Sequence, residues 1–216
     1  MINNLSANNS IFQEFIAEIR DVNIQKDGMR FRRNLERMGE IFAYEISKTL
    51  PYSNVDVETP LGVAHSKKLA QQPVIGTILR AGLPLHMGIL NYFDKAENAF
   101  IGAFRKHHKD NSFEIVMNYL ASPNLEGKTL ILCDPMLASG SSLVLTYKAL
   151  LAKSKPAHTH FVSVIASQHG VDYLNKHVNG ANCTIWCGAV DEELTAQSYI
   201  VPGLGDAGDL AFGIKE

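Results

Sequence analysis

The sequence predicts an α/β fold, in which a doubly wound and mostly parallel sheet is flanked by helices and carries a β-hairpin arm. Short apolar runs with the length and branching of buried strands alternate with segments of helical periodicity. No internal repeat or low-complexity linker interrupts this alternation, and 216 residues with 46% hydrophobic content can bury one substantial core. We therefore expect a single domain over residues 1–216, with ligands at the carboxyl ends of the strands.

The first half of the chain predicts two helices, one buried strand and a short apolar-faced segment near the N-terminus. An apolar-faced segment covers residues 12–19, and helical spacing of apolar residues predicts a long helix over 31–50 that Pro51 ends. The short apolar run 74–79 predicts a buried strand, and residues 82–92 predict the helix after it.

The second half of the chain predicts the arm and the rest of the sheet. Apolar runs at 99–104 and 113–119 flank a polar loop, so they predict two strands of a hairpin arm near 99–120. The remaining predicted elements are the central strand 130–133, the helix that carries Leu143 to Leu151, a strand over 159–166, a helix over 171–177 and a strand over 184–189.

The turn after the central strand carries the clearest chemical signal. It runs through Asp134, Pro135, Met136, Leu137, Ala138, Ser139, Gly140, Ser141 and Ser142 into a helical pattern. Free N–H groups at a helix N-terminus bind a phosphate without any lysine, and serine hydroxyls add donors. The pattern predicts a phosphosugar-binding turn in which Asp134 accepts from ribose hydroxyls. The competing interpretation is an ordinary α/β turn with an N-capping serine.

A glycine-rich segment over 199–209 carries the second signal. Gly203, Gly205 and Gly208 have the spacing of a dinucleotide-binding fingerprint. That motif must open a crossover helix and lead to another strand, whereas only eight residues follow Gly208. Glycines also let bare backbone N–H and C=O groups reach the edge of a planar ring, so we expect this loop to bind a nucleobase.

With both segments in view, the chain resembles the uracil phosphoribosyltransferases of the type I phosphoribosyltransferase superfamily. The family turn reads D-P-M-L-A-T-G-G-S, against residues 134–142, and its terminal segment reads Y-I-x-P-G-L-G-D-A-G-D, matched over 199–209. Shorter segments agree in the same order along most of the chain: Phe31-Arg32 with Leu35, Ala43-Tyr44-Glu45, Thr59-Pro60-Leu61 and residues 78–83.

The resemblance implies transfer of the 5-phosphoribosyl group from phosphoribosyl diphosphate to N1 of uracil, which gives UMP and diphosphate. It also implies a Mg²⁺ cofactor carried by the diphosphate rather than by a protein cage. A homodimer or an assembly of dimers is expected. By position, Ile200, Gly205 and Ala207 would bind uracil largely through their backbone, and Asp206 would border the base while facing the phosphoribosyl donor.

Two arginines are expected at the diphosphate. Arg80 comes directly after the strand 74–79, and its planar fork of donors suits a diphosphate, with Gly82 giving an anion access to the backbone. The competing interpretation is an arginine that caps a helix or pairs with a surface acid. Arg105 resembles the second diphosphate-contacting arginine of the family. With Asp134 and Asp206, these arginines form the predicted catalytic set, and the resemblance also implies a non-proline cis peptide near Arg80-Ala81.

Some residues beside the predicted site depart from the family pattern. Residues 106–110 are largely basic where the family is acidic, which fits a solvated loop tip or a surface that captures diphosphate. Ser139 keeps the hydroxyl of the family threonine, whereas Ser141 replaces a glycine and should restrict the backbone.

Further departures precede the terminal loop. Asp191 matches the family acid, but Thr195, Ala196 and Ser198 stand for the usual asparagine, glutamate and glycine. These changes leave two alternatives open: a nucleotide-binding regulator without turnover, and a phosphoribosyltransferase for another base.

Composition argues against other classes of protein. The net charge of -2 gives no general basic surface, so a nucleic-acid partner is not indicated. The sequence shows neither an apolar signal core nor an apolar run long enough to cross a bilayer, so we expect a soluble, cytoplasmic protein without a membrane partner. An odd number of cysteines, with Cys133 in a predicted core strand, favours reduced thiols, and Cys183 and Cys187 lack the partners of a zinc site.

Overall fold

The computed structural model describes residues 2–107, 113–178 and 182–215, with the backbone alone at 104–107 and 113–116. The strands are β1 (Ile2–Asn4), β2 (Tyr52–Thr59), β3 (Gly62–Leu69), β4 (Val74–Leu79), β5 (Glu97–His107), β6 (Phe113–Ala121), β7 (Thr129–Cys133), β8 (Met136–Leu137), β9 (His158–Ser167), β10 (Cys183–Asp191), β11 (Glu193–Leu194) and β12 (Ile200–Val201). The α-helices are α1 (Phe12–Arg20), α2 (Gly28–Ser47), α3 (Gly82–Tyr92), α4 (Ser141–Leu151), α5 (Gln168–His177) and α6 (Ala207–Phe212).

An eight-stranded sheet forms the centre of the fold. Its order is β1-β10-β9-β7-β4-β5-β6, and the short β8 also pairs with β9. The pairings are parallel except for β5 with β6. The chain runs outward from β4 through β5 and β6, then returns to β7 and continues on the other side through β9 and β10. This confirms the doubly wound, mostly parallel sheet and places its switch point between β4 and β7, where such folds bind ligands.

Alternate residues of the central strands face two separate cores. Ile75 and Ile131 belong to the first core, whereas Val74 and Leu130 belong to the second, as the period of two in a strand requires. In the first core they pack against buried side chains of α1, α2 and α3, such as Phe12, Phe31, Leu35, Phe42, Leu85 and Ile89. In the second they pack against side chains of α4 and α5, such as Leu143, Val144, Leu150, Val171 and Leu174.

The predicted elements are present, with bounds that differ by a few residues. Strand β4 and helix α3 have the predicted bounds, but α2 starts three residues earlier than predicted. The reason is an N-cap, because the Asp27 side chain accepts a hydrogen bond from the backbone N–H of Arg30 at 3.1 Å. Strands β5 and β6 pair as the predicted hairpin, with a register shift between Gly102 and Ala103.

A second two-stranded ribbon was not predicted. Strands β2 and β3 pair antiparallel from Tyr52 with Leu69 to Thr59 with Gly62, apart from the central sheet. Most of their residues are exposed, and Leu61 at the tip is 100% exposed. Because the ribbon buries little surface, apolar and polar residues alternate only briefly, from Val55 to Glu58, which explains why the pattern did not reveal it.

Helices α2 and α3 pack closely where each has a glycine, Gly39 in α2 and Gly88 in α3. A Cβ on Gly88 would lie 1.9 Å from the carbonyl oxygen of Glu36, and one on Gly39 would lie 2.3 Å from that of Leu85. Bare backbone therefore meets bare backbone at this crossing, which holds α3 and the loop before it against α2. Among the described residues, no helix is long and apolar enough to cross a bilayer.

Candidate active site

The candidate site lies at the carboxyl ends of β4 and β7, at the switch point of the sheet. Arg80 follows β4 and Asp134 follows β7, and these two strands are paired neighbours with Thr77 opposite Cys133. The C-terminal segment joins them, because Arg80 hydrogen-bonds to Asp209. Three segments distant in sequence thus meet at the edge where the sequence predicted the ligand.

The turn after β7 is held in place by the neighbouring strand β9. The backbone N–H of Asp134 donates to Val162 at 3.0 Å, and Met136 pairs with Ile165 in the short β8. The hydroxyl of Ser167 donates to the carbonyl of Ala138 at 2.6 Å. This scaffold shapes a small concavity lined by Asp134, Met136, Leu137, Ala138, Ser139, Gly140, Ser142 and Leu143.

The N-terminus of α4 opens onto this concavity. Gly140 caps the helix with a φ of 80°, in the left-handed region that favours glycine. The backbone N–H of Ser141 donates to the Ser139 hydroxyl at 3.4 Å. The Ser139 hydroxyl in turn donates to the Ser141 hydroxyl at 3.2 Å. Free helix N–H groups and hydroxyls therefore surround a space suited to a phosphate.

The expected backbone restriction at Ser141 does not arise. Ser141 is the first residue of α4, while the left-handed φ falls on Gly140. A serine adopts helical dihedrals without strain, so its difference from the family glycine adds a hydroxyl and leaves the turn intact.

Arg80 contacts the C-terminal segment. Its guanidinium donates to Asp209 Oδ1 at 2.6 Å and to the carbonyl of Gly213 at 3.1 Å, and its side chain is 39% exposed. A non-proline cis peptide is present between Leu79 and Arg80, one bond before the expected Arg80-Ala81. Gly82 also has a packing reason that was not predicted, because a Cβ there would lie 2.3 Å from Thr77 Oγ1.

The second predicted arginine lies on the arm. Arg105 is in β5 opposite Ile115, but its side chain is outside the described residues. Residues 108–110 of the basic segment are also outside them. A diphosphate contact by Arg105 stays a prediction.

The terminal loop is anchored by a buried ion pair. Asp191 is 8% exposed, binds both terminal nitrogens of Arg20 at 2.8 and 2.7 Å, and accepts from the backbone N of Gly203 at 2.9 Å. Arg20 also donates to the Gly203 carbonyl at 3.0 Å. Sequence reasoning missed Arg20 because its partners lie 171 and 183 residues away, and no local spacing signals such a contact.

The predicted base-binding residues are brought together in this loop. Ile200 and Ala207 are buried, whereas Gly205 has a φ of 92° and open space where a Cβ would stand. The segment is not a loop throughout, since Ile200 belongs to β12 and Ala207 begins α6.

Asp206 is the N-cap of α6 and forms an ion pair with Lys215. Its Oδ1 accepts from the backbone N of Asp209 at 3.0 Å, and its Oδ2 accepts from Lys215 Nζ at 2.7 Å. Burial of the carboxyl opposes its ionisation, but the hydrogen bonds from Lys215 and from the backbone prevail, so the pKa of Asp206 lies below its ordinary value.

The departure at Ser198 has a structural consequence. Residues 195–199 form a tight turn in which Ser198 N donates to Thr195 O and Thr195 N donates to Tyr199 O, both at 2.8 Å. Ser198 has a φ of 62°, and among the described residues it is the non-glycine residue with a positive φ.

Replacing Ser198 by glycine is expected to stabilise the protein. Glycine adopts the left-handed region freely, so the substitution relieves the backbone strain of the folded protein. This gain should exceed the stabilisation of the unfolded chain by its added conformational entropy, and the free energy of unfolding should rise by about 0.5–1 kcal/mol. Chemical denaturation measures the change. Ser53→Gly on the exposed strand β2 is the control and should destabilise, and a loss of stability in Ser198→Gly would contradict the interpretation.

The thiols and acids of the described part of the chain do not build a metal centre. No group of three or more His, Cys, Asp or Glu side chains there could hold a metal ion. Burial raises the pKa of Cys133 and of Cys187 to about 12, so both thiols are protonated at neutral pH.

Comparison with known proteins points to one family. The uracil phosphoribosyltransferase family model matches residues 6–214. A uracil phosphoribosyltransferase of Porphyromonas gingivalis is 54% identical over 98% of this chain and 97% of its own. One from Methanothermobacter thermautotrophicus is 39% identical over 95% of this chain and 93% of its own. The solved structure of the AQ2163 protein from Aquifex aeolicus superposes with a TM-score of 0.86 at 28% identity, covering 99% of each chain.

Proposed function

The chain belongs to the uracil phosphoribosyltransferase family, and we propose on that basis how its site performs the reaction. The enzyme transfers the 5-phosphoribosyl group from phosphoribosyl diphosphate to N1 of uracil, which yields UMP and diphosphate. The observation that carries the assignment of residues is the 2.6 Å contact between Arg80 and Asp209, because it brings the loop after β4 to the terminal loop. The donor and base sites then share one crevice.

The turn over 134–142 binds the 5-phosphoribosyl moiety. The N-terminal N–H groups of α4 and the hydroxyls of Ser139, Ser141 and Ser142 hold the 5-phosphate, which does not react. Binding energy from this remote group aligns the anomeric carbon with the base. Asp134, at the end of β7, accepts hydrogen bonds from the ribose hydroxyls.

The diphosphate is the leaving group, and two arginines receive it. Its departure leaves positive charge on the ribose ring, so the site must stabilise a departing anion. Arg80 has a planar donor fork at the crevice and exchanges its contact with Asp209 for the diphosphate. Arg105 on the arm adds a second fork. Mg²⁺, when bound to the diphosphate, neutralises part of its charge.

The terminal loop selects the base. Backbone groups of Ile200, Gly205 and Ala207 match the donor and acceptors on the edge of uracil, while Asp206 borders the base and faces the donor. A base with another pattern leaves polar atoms unpaired, which is the basis of selection. The family membership of the chain does not favour a regulator without turnover.

We also propose that the protein is a homodimer and that it acts in the cytoplasm. The β2–β3 ribbon has no packed face of its own and carries exposed apolar residues such as Val63 and Leu61, which suit a second subunit. The two buried free thiols, Cys133 and Cys187, fit a reducing compartment.

A base-selection assay tests the proposed function. Phosphoribosyl diphosphate and Mg²⁺ are mixed with the protein and, separately, with uracil, cytosine, thymine, adenine or hypoxanthine, and the nucleotide product is separated by chromatography. We expect UMP from uracil at a rate at least about a hundredfold above any other product. Faster turnover of another base would overturn the uracil assignment, and binding without turnover would restore the regulator.

Replacing Ser139 by valine is expected to weaken donor binding. The change removes a hydroxyl donor and crowds the turn, so the dissociation constant of phosphoribosyl diphosphate should rise roughly tenfold if about 1.4 kcal/mol is lost. Calorimetry measures it. Ser139→Thr keeps the hydroxyl and is the control, and equal affinities for both variants would refute the role of the hydroxyl.

Replacing Gly205 by valine is expected to damage base binding. The valine would be strained at a φ of 92° and would project into the open space beside the loop, where we place uracil. The KM for uracil should rise at least about tenfold, with donor affinity changed less than about threefold. Gly127→Val has a similar left-handed φ and open surroundings in a remote loop, so it is the control. An unchanged uracil KM would remove Gly205 from the base site.

A further inference from the structure

The last residues of the chain fold back onto the candidate site. The ammonium of Lys215 donates to Asp206 Oδ2 at 2.7 Å and to Asp209 Oδ1 at 3.3 Å, and the Lys215 backbone N lies 3.4 Å from the same Asp209 oxygen, to which it donates. The carbonyl of Gly213 accepts from Arg80. We call residues 213–215 the tail. Neither the sequence pattern nor the family resemblance assigned a role to it.

Four charges of the tail and the site form a neutral cluster. Asp206 and Asp209 are the acids, and Arg80 and Lys215 are the bases. Asp209 Oδ1 is shared, because it accepts from both cations. If Arg80 turns to a diphosphate, Asp209 loses its shorter charged contact and stands close to a polyanion. Lys215 is then the cation that compensates both carboxylates.

We propose that Lys215 is a positioning residue for the donor site, which fixes the Asp206 carboxylate and holds Asp209 when Arg80 binds diphosphate. The inference rests on the proposed function, because it requires a donor at Arg80. Lys215 acts through the two acids rather than on the reacting atoms. The tail therefore couples the C-terminus of the chain to substrate binding.

The electrostatics of Asp206 support this role. The charged groups around this carboxyl are Lys215 from the tail, Asp209 from α6 and Arg80 from the loop after β4, while Arg32 of α2 donates to the backbone of Ala211. Lys215 is the principal cause that lowers the pKa of Asp206, and the same contact raises the pKa of Lys215. Burial favours the protonated carboxyl, and without Lys215 only the backbone hydrogen bonds from Gly208 and Asp209 oppose it, so Asp206 would take up a proton at a higher pH.

Substitution of an exposed side chain tests the inference without threatening the fold. The Lys215 side chain is 61% exposed, so Lys215→Met should leave the melting temperature nearly unchanged. We expect the KM for phosphoribosyl diphosphate to rise about fivefold to tenfold, the KM for uracil to stay within about twofold, and the acid limb of the kcat/KM profile to move to higher pH. Lys215→Arg should restore most of the donor KM. Lys95→Met, at the amino end of β5 and away from the site, is the matched control.

A second background separates this role from a structural one. If Lys215 acts through the two acids, then Lys215→Met in an enzyme that carries both Asp206→Asn and Asp209→Asn should change the donor KM by less than about twofold and leave the pH profile where it is. Full additivity of Lys215→Met with these two changes, or a Lys215→Met enzyme equal to Lys95→Met, would overturn the proposal. Failure of the unchanged protein to form UMP would overturn the proposed function instead. In that case, calorimetric donor binding to the Lys215→Met protein still decides the role of Lys215.

Discussion

Replacing Arg80 by methionine is expected to lower kcat/KM for phosphoribosyl diphosphate by about 10²–10³-fold, a loss comparable to that of a donor placed at developing negative charge in other enzymes. Methionine keeps the length of the stem but removes the fork that faces the crevice. The anion that forms as diphosphate departs then lacks its guanidinium, and Asp209 loses its 2.6 Å partner beside it. Steady-state kinetics with each substrate varied in turn measure the effect, and uracil affinity should change little.

Two further variants make the Arg80 experiment decisive. Arg80→Lys retains the charge without the planar fork, so it should recover only part of the activity. Arg33→Met is the control for loss of an arginine paired with an acid, since the exposed Arg33 of α2 lies 2.8 Å from Glu36. A variant of Arg80 that lost uracil binding while donor binding survived would show that the role is wrong.

Replacing Gly88 by alanine is expected to cost about 2–4 kcal/mol of unfolding free energy, although alanine is the better helix former by about 1 kcal/mol. The new Cβ would lie 1.9 Å from the carbonyl oxygen and 2.8 Å from the carbonyl carbon of Glu36. Neither atom belongs to a flexible side chain, so α2 and α3 must separate. Because α3 follows Arg80 directly, activity should fall with stability.

The melting temperature of the Gly88→Ala protein measures this loss, and we expect a decrease of roughly 4–16 °C for a chain of this length. Gly127→Ala is the matched control, because Gly127 has open space around its Cβ position and a φ of 69°. That change should cost only the strain of the left-handed backbone, about 1 kcal/mol. Equal losses for the two variants would contradict the close helix contact.

The local pattern of the chain was enough to predict the main elements and their order. Strand β4 and helix α3 were predicted with their observed bounds, because a buried run followed by an apolar helix leaves a continuous signal in the sequence. The ribbon of β2 and β3 was not, because an exposed ribbon buries no face. The start of α2 was predicted three residues too late, because the helix begins at the Asp27 cap and not at the first residue of the apolar pattern.

The turn after β7 and the terminal loop could also be located from the sequence, since each is a contiguous run of residues whose chemistry is local. Gly140 stands where the turn needs a left-handed φ, and Asp206 caps the helix that follows it. A packing reason for Gly82 could not be predicted, because the atom that its missing Cβ would meet belongs to Thr77 on the preceding strand. The concern over Ser141 was unfounded, since dihedral angles decide which position of a turn needs a glycine.

By itself, the sequence determined the fold class, the order of its elements and the family, and it located the segments in which we place donor and base, because periodicity and motifs act within a few neighbouring residues. Only the tertiary structure decided which distant side chains meet. The pair of Arg20 with Asp191, the pair of Arg80 with Asp209 and the return of Lys215 to Asp206 depend on strand order and on the path of the C-terminus. Oppositely charged side chains attract each other according to their distance in space, and that distance bears no relation to their separation along the chain.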